Sequence, residues 1–509
     1  MVMVITLAGK VLGLFRDRLM AVHYGTTGME AKAFYVASRI PRVFFDVVFA
    51  SAIAACFIPV FSQILAGKGK KEAFRFGGNF LSVMGLLTAL LTVLGMALAG
   101  PLVTLFADGY DPQTAALAAS LTRVMFPTVF FTGIAFSFVG ILQAMDRFNV
   151  PALISVVSNL VIIAYFYLFD RQYGVYGLAA AYLVGWLLQA LVQIPSLGRL
   201  GFRYRPDFSF RSEGMRQAFA LMGPVMVSTW VQPINLTINS RFGSHLYDGA
   251  GVSAMEYSTN LYLVIAGVFI LSITNVIFPR LSRLTAQHQQ GAFRDTLRQT
   301  VHSSLFFVLP MAAGLMLLAR PLVSFLYGGG EFDEFSVTIT SQALVWVSLG
   351  MVGYAVQNIL SRSYFARQDG RTPLIAGVVS ILANVGLCMA LTQPLGVSGL
   401  AIASTASSTL YALLLLLPLE RRGEGVLDRA FLADLGRMLL AVVGMAGAVW
   451  LAREGLAGLL PAGKLGEALL LACCAGAGAL VYFLLCALLR VPEMRLAGGA
   501  LSKRLRKRG

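Results

Sequence analysis

Charged side chains are concentrated in the first two apolar segments of the chain, residues 1–22 and 33–65. These segments hold five basic residues and two carboxylates, namely Lys10, Arg16, Arg18, Arg39, Arg42, Asp17 and Asp46. Arg39, Arg42 and Asp46 are spaced i, i+3 and i+7, so all three lie on one face of a helix. Guanidinium groups bind phosphate oxygens through paired hydrogen bonds. The surplus of cations therefore predicts a site for a phosphate-bearing anion.

A simpler interpretation of these charges is structural. Arg16 and Arg18 can extend toward a membrane surface, and any one cation can pair internally with Asp17 or Asp46. A charge in the middle of a membrane costs about 2.5–3.5 kcal/mol on insertion scales, so such residues normally face a cavity or a partner. A salt bridge needs only one pair, whereas cations are in excess here, which favours a cavity.

Polar amides occur in two later apolar segments. Gln232, Asn235 and Asn239 form one stripe on the segment 218–244, and Asn260 lies in the segment 255–279. These residues are candidates for binding the same ligand. Amides also hold helices together inside membranes, and that alternative stays open.

No motif for cofactor or metal chemistry is present in the sequence. The five cysteines lie in apolar runs, and the four histidines lack metal-ligand spacing. Phosphate-binding loops of the GxxxxGK[ST] type, GxGxxG turns and GxSxG elbows are all missing. We therefore expect no cofactor, no metal, no catalytic residue and no enzymatic activity.

The composition is that of a membrane protein. Of 509 residues, 57% are hydrophobic and 13% are charged, and the mean hydropathy is +0.76. A soluble enzyme is excluded on this basis. The net charge of +16 does not indicate a nucleic-acid partner, because long apolar runs separate short basic loops.

About fourteen segments are long enough to cross a bilayer, which takes about 20 residues each. We place them at 1–22, 33–65, 77–106, 115–143, 150–169, 175–198, 218–244, 255–279, 300–327, 336–361, 373–394, 397–418, 431–452 and 465–489.

The distribution of basic residues predicts the orientation. Loops after even-numbered segments, with the tail, hold 28 lysines and arginines, and loops after odd-numbered segments hold 5. Because basic loops stay in the cytoplasm, both termini are predicted to be cytoplasmic. The acidic loops containing Asp108, Asp111 and Glu331 are then expected to face outward.

An internal duplication relates the first twelve segments. GVYGLAAA at 174–181 recurs as GVSGLAIA at 396–403, an offset of 222, and IPVFS at 58–62 resembles FPRLS at 278–282, an offset of 220. Six segments per repeat give both repeats the same orientation, as in transporters that rock two lobes about a cavity. The expected fold is an all-α polytopic membrane protein with two parallel six-helix lobes, 1–200 and 218–420, joined by a cytoplasmic linker at 201–217. Two further helices and a basic cytoplasmic tail occupy 421–509.

Several motifs resemble a known family. They read LGLFRD at 12–17, AFYVASRIP at 33–41, FIPVF at 57–61, DRFNVP at 146–151 and FARQDGRTP at 365–373. They resemble the MurJ (MviN) lipid II flippases of the multidrug/oligosaccharidyl-lipid/polysaccharide exporter superfamily. The resemblance implies transport of undecaprenyl-pyrophosphate-linked peptidoglycan precursor from the inner to the outer leaflet of the bacterial cytoplasmic (inner) membrane. It also implies a cationic cavity lined by the first, second, seventh and eighth helices.

The family pattern transfers to particular residues. Arg16 and Asp17 match the essential Arg-Asp pair of the first helix, Lys10 stands at a usually basic position, and Arg39 matches the basic position before Ile-Pro. Phe45 and Asn260 stand where the family commonly has arginine. Arg42, one turn before Phe45, is the residue we expect to supply that charge.

These residues lead to one functional hypothesis and two alternatives. Arg16, Arg39 and Arg42 are expected to hold the pyrophosphate while Lys10 adds positive potential. Asp17 and Asp46 are expected to orient the cations or reset the empty cavity. One alternative is an exporter of another lipid-linked oligosaccharide. The other is a non-transporting scaffold of a cell-wall assembly complex, against which the costly buried charges argue. The expected partners are the lipid-linked pyrophosphate, the membrane and the cell-wall synthesis machinery.

Overall fold

The computed structural model describes residues 2–45, 56–220, 230–423, 425–456, 459–461 and 463–494. Within these ranges the protein is almost entirely helical, with no strand and one isolated bridge between Gly329 and Phe332. A lipid-embedded backbone must satisfy its hydrogen bonds internally, and helices do this within a single segment. The all-α prediction is confirmed. Asp46 lies outside the described residues.

The chain forms two compact units. The first comprises residues 1–253 with 329–333, and the second comprises 254–328 with 334–509. The lobe boundaries expected from the sequence stay a prediction. The helices of the first unit are α1 (Val2–Tyr24), α2 (Met29–Phe45), α3 (Ile58–Lys68), α4 (Lys70–Ala97), α5 (Ala99–Phe106), α6 (Pro112–Met125), α7 (Thr128–Ala144), α8 (Asn149–Leu168), α9 (Asp170–Leu191), α10 (Ile194–Arg199) and α11 (Val231–Ser244).

The second unit contains longer helices. The first of them, α12, begins a few residues before the unit boundary, and a π-helical turn, Leu263–Gly267, joins it to the next. The helices are α12 (Ala250–Tyr262), α13 (Val268–Ala286), α14 (Gln290–Leu317), α15 (Ala319–Tyr327), α16 (Glu334–Ala366), α17 (Arg371–Arg421), α18 (Arg429–Leu456) and α19 (Lys464–Leu488).

Nine helical stretches among the described residues are long and apolar enough to cross a membrane, so the chain is a multi-pass membrane protein. This number does not test the fourteen segments directly. The 51-residue α17 is one of the nine, although it covers two of the predicted segments and its backbone is non-helical at Gly396. The polar α1 and α2 are not among the nine.

The backbone reproduces the internal duplication. Gly174 has φ 52° and ψ −146°, and Gly396, 222 residues later, has φ 57° and ψ −136°. Asp146 and Gln368, also 222 apart, share positive φ values of 59° and 61°. The break between α4 and α5 at Leu98 recurs between α14 and α15 at Leu318, an offset of 220. The same unusual turns at a fixed offset support two copies of one helical plan.

Polar contacts attach the last two helices to α14. Near one end of α14, Arg298 pairs with Asp428, and His302 Nδ1 lies 2.5 Å from Glu493 Oε1. Farther along α14, the Tyr482 hydroxyl donates to the Phe306 carbonyl at 2.8 Å. These contacts cross from α14 to the segments around α18 and α19. The helix pair outside the duplication is therefore fixed to the second unit through side chains.

Candidate functional site

Arg16 on α1 is held in one orientation by neighbouring side chains. Its Nε and Nη2 donate to Asp17 Oδ1 at 3.1 and 2.7 Å, and its Nη1 donates to Asn159 Oδ1 at 3.1 Å. The guanidinium lies 5.7 Å from the ring centroid of Tyr182. Asp17 and Asn159 are both buried. Asp17 is therefore the carboxylate that pairs with Arg16, and its role in transport stays a prediction.

Close packing of α1 on α8 makes this arrangement possible. A Cβ at Gly9 would lie 2.5 Å from Ser155 Oγ, so glycine allows this close approach with the Ser155 hydroxyl in its present position. The Gly9 carbonyl accepts a hydrogen bond from Asn159 Nδ2 at 3.0 Å. Asn159 thus links the α1 backbone to the Arg16 side chain. Asn159 and Tyr182 were not among the residues predicted from the sequence. The signal in the sequence for Asn159 is the presence of an amide in the mostly apolar segment 150–169.

Arg39 and Arg42 lie three residues apart on α2, as their spacing predicts, but in different surroundings. Arg39 is buried, with 8% of its surface exposed, whereas Arg42 is exposed. Arg39 Nη1 donates to the Leu236 carbonyl of α11 at 3.5 Å. This contact joins the cationic helix α2 to the helix that carries the amide stripe.

The amides of α11 are placed differently from one another. Asn239 is buried, and Asn235 is half-buried. The Asn235 Oδ1 atom is buried and has no hydrogen-bond partner among the residues that the structure describes. Gln232 lies in the first turn of the same helix. A buried acceptor without a donor indicates a place where a polar ligand or water binds.

Two further predicted residues are Lys10, in the first unit, and Asn260, in the second. Lys10 is exposed. It lies six residues before Arg16 on α1, so the two residues are on different sides of the helix. Asn260 is half-buried on α12, immediately before Leu261, Tyr262 and the π-helical turn. π-Helical turns occur frequently at functional sites.

Phe45, where the family commonly has arginine, lies in an aromatic environment. It is 5% exposed, and its ring centroid lies 5.5 Å from that of Phe136. Phe57, Phe61, Phe76 and Phe80 belong to the same hydrophobic cluster. The local packing therefore suits an apolar ring at this position.

Contacts among Asp108, Arg241 and His245 fix the C-terminal end of α11. We name this set of contacts the α11 clasp. Asp108 accepts from Arg241 Nη2 at 2.5 Å and lies 2.9 Å from His245 Nε2. The backbone N–H of Gly109 donates to Ser244 Oγ at 3.0 Å. Partial burial raises the pKa of Asp108, but the hydrogen bonds from Arg241 and His245 outweigh burial, so the pKa lies below its ordinary value.

Within the described ranges, no group of three histidine, cysteine or acidic side chains is arranged to hold a metal ion. The polar groups of the site are instead the guanidinium donors of α1 and α2 and the amides of α8 and α11. Such a set binds anions and hydroxyl-bearing or amide-bearing groups through hydrogen bonds.

Comparison with known proteins gives consistent results. Residues 21–465 match the family model described as "Lipid II flippase MurJ". A probable lipid II flippase MurJ from Haemophilus influenzae is 30% identical over 463 residues, which cover 87% of this chain and 90% of that protein.

Two solved structures share the fold. One is described as lipid II flippase MurJ in an inward closed conformation. It has a TM-score of 0.77 and 24% sequence identity, and the match covers 96% of this chain and 98% of that chain. The other is an inward-facing multidrug resistance MATE family transporter of the MOP superfamily. It has a TM-score of 0.63 and 16% identity and covers 81% of this chain and 98% of its own.

Proposed function

The chain belongs to the lipid II flippase MurJ family, and we propose that it moves lipid II from the inner to the outer leaflet of the bacterial cytoplasmic membrane by alternating access. The observation that carries the proposal is the concentration of arginines on α1 and α2, with Arg16 held by Asp17 and Asn159 and Arg39 buried. Lipid II carries a pyrophosphate whose charge cannot cross hydrocarbon unaided.

Arg16 keeps hydrogen-bond capacity for this anion. A guanidinium has five N–H donors, and three of them are used on Asp17 and Asn159, so two remain. Because the fixed partners hold the plane of the group, the remaining donors keep their direction. We assign Arg16, Arg39 and Arg42 to the pyrophosphate, and Lys10 to the surrounding positive potential. Asp46 is assigned with Asp17 to balancing these cations.

The amides are assigned to the other end of the substrate. Phosphate oxygens are acceptors and offer nothing to the buried Asn235 Oδ1, whereas sugar hydroxyls and peptide N–H groups donate. We therefore assign Asn235, Asn239, Gln232 and Asn260 to the glycan and peptide part of lipid II. The polyprenyl tail stays in the bilayer.

The proposed topology follows from the basic loops. Both termini lie in the cytoplasm, so the basic loops after even-numbered segments stay inside and the α11 clasp faces outward. The protein works without a cofactor and beside the cell-wall synthesis machinery that makes and consumes lipid II.

One observation favours a second candidate, the export of another lipid-linked oligosaccharide. Phe45 packs among aromatic rings where many family members have arginine, and Asn260 replaces another arginine. A binding site whose cations differ from those of the family would favour a substrate whose head group also differs. The non-transporting scaffold has no such support.

Complementation of a strain depleted of its own lipid II flippase tests the proposal. The chain should restore growth, and Arg16→Ala should abolish growth while the protein still accumulates in the membrane. Arg171→Ala, an exposed arginine of the same unit, is the matched control and should grow normally. Failure of the well-expressed wild-type chain would favour the other glycan. Normal growth of Arg16→Ala would contradict the role of that residue.

A further inference from the structure

A cleft of about 490 Å³ lies between α13 and α14 in the second unit, and none of the residues assigned above lines it. Phe269, Ile273, Ile277 and Arg280 line it from α13, and Gln299 and Thr300 are among its lining residues on α14. The volume is within the range of sites for small molecules, about 300–1,000 Å³.

The two walls of the cleft differ in chemistry. Phe269, Ile273 and Ile277 are spaced by one helical turn each, so they form a continuous apolar stripe on α13 that ends at Arg280. The wall from α14 carries three hydroxyls and an amide instead, from Thr296, Thr300, Ser303 and Gln299. The cleft is therefore amphipathic, with its cation at one end of the apolar stripe.

Arg280 on α13 differs in its contacts from Arg294 and Arg298 in the first part of α14. Arg294 donates to the Gly425 carbonyl at 3.1 Å, and Arg298 pairs with Asp428. Arg280 is exposed and forms no hydrogen bond or ion pair with any residue in the described part of the chain. A cation without a counter-ion at the mouth of an apolar cleft is complementary to an amphipathic anion.

We propose that this cleft binds an anionic phospholipid of the surrounding bilayer. The phosphate takes hydrogen bonds from Arg280 and from the amide of Gln299, and the first part of an acyl chain lies along Phe269, Ile273 and Ile277. A lipid fits better than a soluble phosphate compound because Arg280 directly follows a predicted membrane segment, 255–279, and basic residues at such ends attract anionic lipid. The site is distinct from the one proposed for lipid II.

Native mass spectrometry of the full-length protein, purified in detergent and mixed with phosphatidylglycerol, tests this site. Arg280→Gln should lower the fraction of protein that retains phosphatidylglycerol about fivefold, which corresponds to about 1 kcal/mol for one basic residue at an anionic surface. Arg283→Gln is the matched control, because this arginine follows on the same helix but does not line the cleft. It should retain the lipid as the wild type does. Equal loss in both variants, or no loss in Arg280→Gln, would overturn the proposal.

A second variant tests the apolar wall without changing charge. Ile273→Trp places a larger ring in the cleft and should also reduce retention of phosphatidylglycerol while Arg280 is intact. Phosphatidylcholine, which has no net charge, should be retained no better by the wild type than by Arg280→Gln. Displacement of phosphatidylglycerol by millimolar inorganic phosphate would identify an anion site rather than a lipid site and contradict the proposal. No lipid II is present in these measurements, so their outcome is independent of the transport assay.

Discussion

The Asn159 side chain contacts both the α1 backbone and the Arg16 side chain, and a single substitution removes both contacts. It donates to the Gly9 carbonyl and accepts from Arg16, so it fixes both the α1 backbone and the guanidinium. Asn159→Ala should leave Arg16 held by Asp17 alone and reduce flippase-dependent growth, because the donors of Arg16 lose their fixed direction. Growth of the depleted strain is the measurement, with membrane accumulation determined by immunoblot. Gln172→Ala, an exposed amide of the same unit, serves as the control. Full growth of Asn159→Ala would contradict the orienting role.

Phe45 allows a prediction about the missing family arginine. Phe45→Arg should lower the amount of folded protein, because a cation at this position would be buried beside Phe136 in an aromatic cluster. Arg42 is exposed and close in sequence, which is why we expect it to supply the charge instead. Phe45→Leu keeps an apolar side chain and should accumulate at higher levels than Phe45→Arg. If Phe45→Arg accumulates normally and rescues Arg42→Ala, the two positions are interchangeable sources of one charge.

Gly174 permits a test of the repeated turn between helices. Its φ and ψ of 52° and −146° fall in a region that is essentially restricted to glycine, and no atom lies within 4 Å of a Cβ built there. Gly174→Ala should therefore destabilise the protein through backbone strain alone, by about 1–3 kcal/mol. Gly386→Ala is the control, because Gly386 lies inside helix α17 with equally open space. It should be neutral or slightly stabilising. Thermal unfolding of purified protein measures both, and equal unfolding temperatures would contradict the strain.

The α11 clasp should make stability depend on pH in acid. The folded-state pKa of Asp108 is lowered, so its contribution is present above the unfolded value of about 3.9 and is lost as the pH falls through the folded value. Asp108→Asn should cost about 0.5–1 kcal/mol at pH 7, a range that allows for its partial exposure. The difference from the wild type should shrink below pH 4, as measured by unfolding at a series of pH values. Asp295→Asn, which removes an exposed carboxylate outside the α11 clasp, is the control.

Sequence periodicity and repetition predicted the elements better than their contacts. The recurrence of GVYG and GVSG indicated the duplication, and the backbone repeats its turns at Gly174 and Gly396. Helical spacing placed Arg39 and Arg42 on one face. It did not predict that only Arg39 is buried, or that Arg39 contacts the Leu236 carbonyl of α11, because that contact joins residues almost 200 positions apart. The Asn159 contact was missed for the same reason, since α8 must pack on α1 before the amide reaches Arg16.

At the scale of the whole molecule, the charges of the first two segments should couple the transport cycle to the membrane potential. Five basic and two acidic residues give a net charge of +3. Each charge moved across 100 mV is worth about 2.3 kcal/mol. An inside-negative potential should pull the empty cationic cavity toward the cytoplasm, whereas bound pyrophosphate should neutralise it.

Dissipating the potential while keeping the pH gradient should therefore trap the protein outward-open. A cysteine at Asn260, in a chain whose native cysteines are replaced, should then react faster with an impermeant thiol reagent. Tyr257 is less suitable as a reporter because it is fully buried against Tyr327. Unchanged labelling, with depolarisation verified by a dye, would contradict coupling to the potential.

The attachment of α18 and α19 to α14 has a consequence for how the chain is made. During translation α14 enters the membrane before the ribosome has produced Asp428 or Glu493, so Arg298 and His302 first exist without their carboxylate partners. A chain that stops after α17 keeps both groups unmatched. His302 lies within the predicted membrane segment 300–327, where an unmatched polar group is costly. The last two helices therefore supply the partners that α14 lacks until then, and we expect a chain that ends after α17 to accumulate in the membrane at a lower level than the full chain.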